Sequence, residues 1–244
     1  ISGNANDFVQ TSSDSIPALG TGINGINGQP VIIFDGNEDF LQDNDGENYI
    51  NGLNEFTVFF ITRSDVTGTD RGFFDTEAPD GRDDVLGIRY DNEGANSDPT
   101  RFDIIKIGVT NPNQLETSET INGVAVQSND PQLITTSWLS GNAQRFFLNG
   151  AEDTGTDING ISSSSLSGSG SVLIGQGVKD DNNNDGWDGD VAEAIIYTSE
   201  LNAAQLEIVN NYLSARYNIT IPNDFYSFDA SFPGDIAGIG NSGG

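Results

Sequence analysis

The sequence contains no cysteine, no histidine and no methionine. Without cysteine, a disulfide framework and thiolate metal sites are excluded. Without histidine, the commonest general base and the commonest zinc ligand are missing, and Ser-His-Asp and Cys-His catalysis are excluded. Long apolar runs are missing too, because none reaches the 18 residues or so of a membrane-spanning helix. We therefore expect no insertion into a membrane.

Basic residues are scarce: nine Lys and Arg stand against 37 Asp and Glu, for a formal net charge of −28. Nucleic acids and anionic lipids require a basic surface, so neither is an expected partner. A compact chain of this charge needs screening by salt or by bound divalent cations. Clustering of the carboxylates in a few loops favours bound cations. A salt-adapted acidic surface without specific metals is the alternative.

Short apolar runs alternate with loops rich in Gly, Asn, Asp and Ser along the whole sequence. Their Val, Ile, Phe and Thr content is typical of half-buried strands in a β-sandwich. Asn149-Gly150 follows one of these runs and predicts a hairpin turn. Eight strands are predicted, at residues 30–35, 55–63, 85–90, 101–107, 133–139, 144–148, 172–174 and 190–197.

One helix is predicted, from Asn202 to about Tyr217. Apolar residues recur there every three or four positions from Leu206 onwards, which is the spacing of one helix face. Asn202 and Gln205 match a capping box. We expect this helix to pack on one end or flank of the sandwich.

The chain is expected to form one domain over residues 1–244, with its core in residues 30–217. Residues 221–244 either pair as a last strand or lead into a following module. The sequence begins at Ile1 rather than Met. We therefore expect a fragment of a larger chain, and we expect this module to be monomeric.

The most acidic loop, residues 180–190, is a candidate calcium site. Asp181, Asn183 and Asp185 alternate and are followed by Gly186, which matches the first half of a calcium-binding loop. Asp188 is the expected closing ligand, since no Glu occupies the twelfth position of the pattern. A solvated acidic turn is the alternative interpretation.

Residues 43–48 (DNDGEN) form a second candidate, in which Asp43, Asp45 and Glu47 alternate in the same way. An ordinary Asx-type turn is the alternative here. Because both loops offer only oxygen ligands, the expected cofactor is Ca²⁺ rather than zinc, copper or iron.

Two tryptophans occur in the sequence. Trp187 lies inside the most acidic loop, where its ring could stack on a sugar or pack back onto the sandwich. We name it as the candidate ligand-binding residue. Trp138, at a predicted strand end, is expected in the core.

Four stretches resemble, in order, the concanavalin A-like lectin/glucanase superfamily in its laminin-G-like bacterial form. They are residues 30–39 (PVIIFDGNED), 55–63 (EFTVFFITR), 133–150, and 188–217 with its closing strand and helix. The resemblance implies an all-β fold, an antiparallel jelly-roll sandwich with one short C-terminal helix.

Residues 235–240 (DIAGIG) are similar to segments of very large secreted surface proteins that carry such domains. The resemblance implies a calcium-dependent adhesin module, extracellular at the cell surface, that binds a glycan or a peptide. Retaining glycosidases of this superfamily carry Glu-x-Asp-x-(x)-Glu on one strand, and the sequence contains no such motif. We therefore predict no enzymatic activity. A structural spacer domain and a domain of a polysaccharide-degrading enzyme are the alternatives.

Overall fold

The computed structural model describes residues 8–67, 71–76, 86–91, 101–106, 113–153, 156–158, 165–166, 170–176 and 186–225. Over these residues the chain forms sixteen strands and two α-helices, with 3-10 turns at Ser13–Ser15 and Gly22–Asn24. The helices are α1 (Glu47–Ile50) and α2 (Ala203–Tyr217). The strands are β1 (Ala18–Gly20), β2 (Val31–Asp35), β3 (Leu41–Asp43), β4 (Glu55–Ser64), β5 (Arg71–Asp75), β6 (Leu86–Asp91), β7 (Arg101–Lys106), β8 (Asn113–Glu116), β9 (Thr120–Ile121), β10 (Val124–Ala125), β11 (Gln132–Leu139), β12 (Arg145–Leu148), β13 (Ala151–Glu152), β14 (Thr156–Ile158), β15 (Val172–Ile174) and β16 (Asp188–Tyr197).

The strands form two antiparallel sheets and one small hairpin. The first sheet has the order β1-β2-β16-β4-β11-β12-β13, the second has the order β14-β8-β7-β6-β5-β15-β3, and β9 pairs with β10. All eight predicted strands are present, with ends that differ by one or two residues at most. The predicted all-β sandwich with one C-terminal helix is confirmed.

The main core lies between the two sheets. Phe56, Val58 and Phe60 alternate along β4, and all three are buried in this core. The ring of Phe60 lies 5.0 Å, between centroids, from the rings of both Phe73 and Phe74. Trp138 is in the same core, as predicted.

A second core lies on the outer face of the first sheet, under α2. Phe59 and Ile61, the β4 residues between those of the main core, pack there with Leu206, Leu213 and Tyr217. Because both faces of β4 are covered, its middle, residues 58–61, is apolar without alternation. The helix therefore packs on a flank of the sandwich, as predicted.

Both ends of α2 are capped. The Asn202 side chain accepts a hydrogen bond from the backbone N–H of Gln205, and the Gln205 side chain accepts one from that of Asn202, so the predicted capping box is present. At the other end, Asn218 has a left-handed backbone with φ of 55°. The backbone N–H of Ile219 then donates to the Ser214 carbonyl at 3.0 Å.

A polar clasp, Glu193 with Tyr212, Arg216 and Tyr217, ties α2 to β16. The Tyr217 hydroxyl donates to Glu193 Oε2 at 2.8 Å, and Arg216 Nη1 donates to the Tyr212 hydroxyl at 2.8 Å. Arg216 Nε lies 3.5 Å from Glu193 Oε2. Burial raises the pKa of Tyr217, and the hydrogen bond to the Glu193 carboxylate raises it further. The clasp orients the helix on the sheet.

The predicted hairpin turn at Asn149-Gly150 connects β12 and β13. Leu148 faces Ala151 in the register, and the two turn residues have φ of 49° and 73°. Two successive positive φ values are typical of a type I′ turn. Residues 226–244 lie outside the described residues, so both interpretations of the tail remain predictions.

Candidate functional site

The structure describes only part of the most acidic loop. The predicted ligands Asp181, Asn183 and Asp185 lie outside the described residues, whereas Gly186, Trp187 and Asp188 lie within them. Gly186 forms isolated bridges with Gly72, in β5, and with Gln176, two residues after the end of β15. The C-terminal end of the loop is thus anchored between the sheets, and a calcium site over residues 181–185 stays a prediction.

Trp187 lies in the main core. Its side chain is 0% exposed, and its ring centroid lies 5.1 Å from that of Phe73 and 5.3 Å from that of Tyr90. The indole Nε1 faces the Asp190 carbonyl at 3.4 Å. The prediction that Trp187 contacts a ligand is therefore wrong in this structure. The alternative, a ring packed back onto the sandwich, is what occurs, because the chain enters β16 immediately after this residue.

Asp188 lies at an acidic end of the sandwich. It pairs with Asp35 across β16 and β2, and its carbonyl accepts a hydrogen bond from the backbone N–H of Asp65 at 2.8 Å. Burial raises the pKa of Asp188, the positive charge of Arg71 opposes this, and the charges of Asp65 and Asp35 raise it further. Ionisation of Asp188 is therefore less favourable in the folded protein than in the unfolded chain.

Asp39 belongs to the same end. Its pKa is raised by burial and by the charge of Asp35. Protonation or a bound cation would relieve the repulsion among these carboxylates. Within the described residues, however, no three acidic side chains come together in an arrangement that could hold a metal ion.

The second candidate calcium loop forms a hydrogen-bonded turn. Asp43 is 2% exposed, its Oδ1 accepts from the Asp45 backbone N–H at 3.0 Å, and its Oδ2 accepts from the Tyr49 hydroxyl at 2.9 Å. Asp45 is exposed, and the side chain of Glu47 lies outside the described residues. This is the Asx-type turn given above as the alternative. Both carboxylate oxygens of Asp43 accept hydrogen bonds in this turn, so the turn is not arranged as an open calcium loop. A calcium ion bound by Asp43, Asp45 and Glu47 stays a prediction.

A groove of about 470 Å³ lies at another place on the first sheet. It is bordered by the β9–β10 hairpin, the start of β11, the β12–β13 turn and the segment that follows α2. Aliphatic side chains and prolines form one part of its lining, namely Ile121, Val124, Pro131, Leu148, Ala151, Ile219, Ile221 and Pro222. Polar residues form the rest, namely Asn122, Ser128, Asp130, Gln132, Asn149, Asn218 and Thr220.

Three asparagines in this lining have left-handed backbones. The φ angles of Asn122, Asn149 and Asn218 are 50°, 49° and 55°. Asparagine adopts this conformation more readily than most residues, so it is suited to tight reversals. One asparagine is in the β9–β10 turn, one is in the β12–β13 turn and one caps α2. Three chain reversals thus meet around one groove, and each places an asparagine in its lining; the Asn149 side-chain oxygen also accepts a hydrogen bond from the Leu133 backbone N–H at 2.9 Å.

The groove suits an uncharged ligand rich in hydrogen-bonding groups. Its described lining offers amides, hydroxyls and an aliphatic surface, and Asp130 is the one charged residue in that lining. Glycoside hydrolysis requires two carboxylates that flank the scissile bond. The described lining contains one carboxylate, that of Asp130.

No local sequence pattern predicts this groove. Asn149-Gly150 predicts a hairpin turn, and Asn122-Gly123 is a dipeptide of the same kind. Such dipeptides indicate turns. Nothing in them indicates that turns at positions 122 and 149 and a helix cap at 218 meet in space.

Neither a family model nor a curated protein matches this chain. Solved structures do. A structure of botulinum neurotoxin type C, which depends on interaction with two ganglioside molecules to enter cells, matches at a TM-score of 0.57 and 13% identity. The match covers 81% of this chain and 44% of the toxin chain, so this chain spans less than half of that relative.

Two further structures match at similar levels. Domain 4 of AbnA, a GH43 extracellular arabinanase from Geobacillus stearothermophilus, in complex with arabinotriose, has a TM-score of 0.53 and 15% identity over 80% of this chain and 81% of that one. The heptameric SAP-like pentraxin from Limulus polyphemus has a TM-score of 0.51 and 11% identity over 85% of this chain and 83% of that one.

At these identities the likeness establishes the fold. It is consistent with the predicted concanavalin A-like jelly-roll. Among the described residues, no helix combines the length and the hydropathy needed to cross a membrane.

Proposed function

We propose that this chain is a non-catalytic glycan-binding module of a secreted or cell-surface bacterial adhesin, and that calcium supports its binding. The observation that carries the proposal is the groove lined by Asn122, Asn149 and Asn218. Amide and hydroxyl groups around an aliphatic surface complement a sugar, which presents hydroxyls on its edges and C–H groups on its faces. A volume of about 470 Å³ falls in the usual range of small-molecule sites, roughly 300–1,000 Å³.

The comparisons favour a glycan over a peptide. One neighbour interacts with gangliosides, and another is an arabinanase domain in complex with arabinotriose. Fold likeness alone does not transfer a ligand, because this architecture serves unrelated functions. The groove supplies the independent support from this chain's own residues.

A non-catalytic role fits the composition. The chain has no histidine or cysteine, and the described groove lining holds the single carboxylate of Asp130. A domain of a polysaccharide-degrading enzyme, the alternative with activity, predicts hydrolysis of a bound oligosaccharide. Incubation of the protein with the glycans that it binds, followed by chromatography of the products, tests this directly.

The calcium part of the proposal concerns the loop at residues 180–190. Asp181, Asn183, Asp185 and Asp188 would supply the oxygen ligands, and the ion would supply positive charge at the acidic end. The raised pKa values of Asp188 and Asp39 agree with this, since burial first and neighbouring carboxylates second make the charged form of each side chain less favourable.

Thermal unfolding in EDTA and then in added Ca²⁺, at fixed ionic strength, tests the calcium part. An ion at a hundred times its dissociation constant adds about 2.7 kcal/mol per site, which corresponds to a rise in Tm of about 5–10 °C for a domain of this size. Asp181→Asn with Asp185→Asn should abolish the shift, whereas Asp14→Asn with Asp130→Asn changes the net charge equally and should keep it. A shift that Mg²⁺ or KCl reproduces, or no shift, would overturn the calcium assignment.

Binding to an array of oligosaccharides, with and without Ca²⁺, tests the glycan part. Selective binding supports the proposal. Complete lack of binding in calcium would leave the structural spacer domain as the better interpretation. Glycan binding that survives EDTA would uphold the binding function without calcium.

A further inference from the structure

Resting on the proposed function, we infer that the groove selects neutral oligosaccharides and rejects acidic ones. The selected ligand class therefore differs from the ganglioside class named for the toxin neighbour. The inference is carried by the charges of this chain around the groove.

The described lining holds no lysine and no arginine. A sialic acid, uronic acid or sulfated sugar that entered the groove would leave its anionic group without a cationic partner. Removing such a group from water without a partner is unfavourable. Recognition of carboxylates in proteins commonly relies on arginine, whose planar fork matches the carboxylate geometry.

Asp130 adds electrostatic repulsion to the missing cationic partner. It is exposed and belongs to the groove lining, so an entering anionic group would come close to its negative charge. Like charges about 4 Å apart repel by about 1 kcal/mol even in water, which is about fivefold in affinity. The overall charge of −28 also lowers the local concentration of anionic ligands.

Neutral sugars bring no charged group that must lose its water, and Asp130 does not repel them. Their hydroxyls donate to the carboxylate of Asp130 and to amide oxygens, and accept from amide N–H groups. Their C–H faces can cover Ile219 and Ile221, which are both buried at the base of the groove. The described lining contains no aromatic ring, so hydrogen bonds contribute most of the selectivity.

Two of the asparagines allow a test that leaves the backbone unstrained. Asn122 and Asn218 both have positive φ, a conformation that glycine adopts without penalty. Asn122→Gly with Asn218→Gly therefore removes two side-chain amides from the groove and keeps both reversals. Asn27→Gly is the control, because Asn27 has φ of 49° and is not in the groove lining; since its side-chain amide donates to the Arg216 carbonyl at 3.0 Å, thermal unfolding must first show that this variant is folded.

The experiment is an oligosaccharide array, in 1 mM Ca²⁺, in which each sialylated or sulfated glycan has a neutral counterpart that lacks only the acidic group. We expect neutral members to bind, and their acidic counterparts to bind at least fivefold more weakly. The double glycine variant should bind the neutral members about tenfold more weakly, from the loss of two neutral hydrogen bonds. The Asn27→Gly variant should bind them like the wild type.

Equal or tighter binding of the acidic counterparts would overturn the inference and leave the proposed function standing. Neutral binding that the double variant does not weaken would place the site elsewhere and would also overturn the inference. Failure of every glycan to bind would refute the proposed function itself. Raising the ionic strength gives a further check. It should reduce the difference in affinity between neutral glycans and their acidic counterparts and leave the affinity for neutral glycans unchanged.

Discussion

Replacing Trp187 with alanine tests whether this residue serves the core or a ligand. The indole is fully buried between Phe73 and Tyr90, so truncation removes apolar burial, two ring contacts and much of the volume of the site. Losses of this kind cost about 3–5 kcal/mol. For a domain of this size, each kcal/mol lowers Tm by roughly 2–4 °C. The expected fall in Tm is therefore about 6–20 °C.

The assay is thermal and denaturant unfolding followed by circular dichroism, at fixed ionic strength. Phe225→Ala is the control, since this aromatic side chain is 69% exposed and its loss should change stability by less than about 0.5 kcal/mol. Trp187→Phe keeps a ring in the core and should cost about 1–2 kcal/mol, less than alanine. It remains measurable if the alanine variant does not fold.

A Trp187→Ala protein with wild-type stability and lost glycan binding would refute this reasoning. Such a result would mean that the indole faces the ligand, as the acidic surroundings of residue 187 predict from the sequence alone. Loss of stability in Trp187→Ala, with glycan binding retained in the folded Trp187→Phe protein, would agree with the core role.

Three further predictions concern single side chains. Asn202→Ala should destabilise the protein by about 1 kcal/mol through loss of the helix cap, whereas Asn202→Ser should cost far less in the same denaturant titration. Asp188→Asn, measured in EDTA, should stabilise the protein by about 0.5 kcal/mol at pH 7. The pKa of Asp188 is raised, so this residue's contribution to the free energy of unfolding is favourable below about pH 4 and unfavourable as pH rises through the pKa of the folded state. The stability gained by the substitution should therefore vanish near pH 3.5. Tyr217→Phe should lower the free energy of unfolding by about 1–2 kcal/mol at pH 7 through the lost hydrogen bond to Glu193. Since the pKa of Tyr217 is raised, the difference in stability between this variant and the wild type should shrink as pH rises above about 10. A stability difference that stays constant to pH 11 would contradict the contact between Tyr217 and Glu193.

The strands that could be predicted from the sequence are those with a run of apolar residues, from the three residues of β15 to longer ones. β4 and β16 are both ten residues long and lie side by side in the middle of the first sheet. Strands such as β9, β10 and β13 are two residues long. A segment that short has no periodicity, so its pairing depends on the turn and on the neighbouring strands, which a local pattern does not describe.

The candidate site was harder to predict, for a different reason. The capping box of α2 and the turn at Asn149-Gly150 are local, and both were predicted correctly. The groove depends on Asn122, Asn149 and Asn218 meeting across nearly a hundred positions of sequence. The burial of Trp187 is likewise a property of the tertiary structure. Its neighbours in sequence are glycines and aspartates, which predict exposure, whereas its neighbours in space are aromatic.

The outermost strands of the two sheets, over the part of the chain that the structure describes, are all very short. β1, β14 and β3 have three residues each, and β13 has two. An exposed sheet edge is a template on which another chain can add a strand, and the risk grows with the length of the edge. Edges of two or three residues offer few unpaired backbone groups. Together with strong mutual repulsion between copies of a chain of charge −28, this should keep the protein from polymerising even when many copies are crowded together.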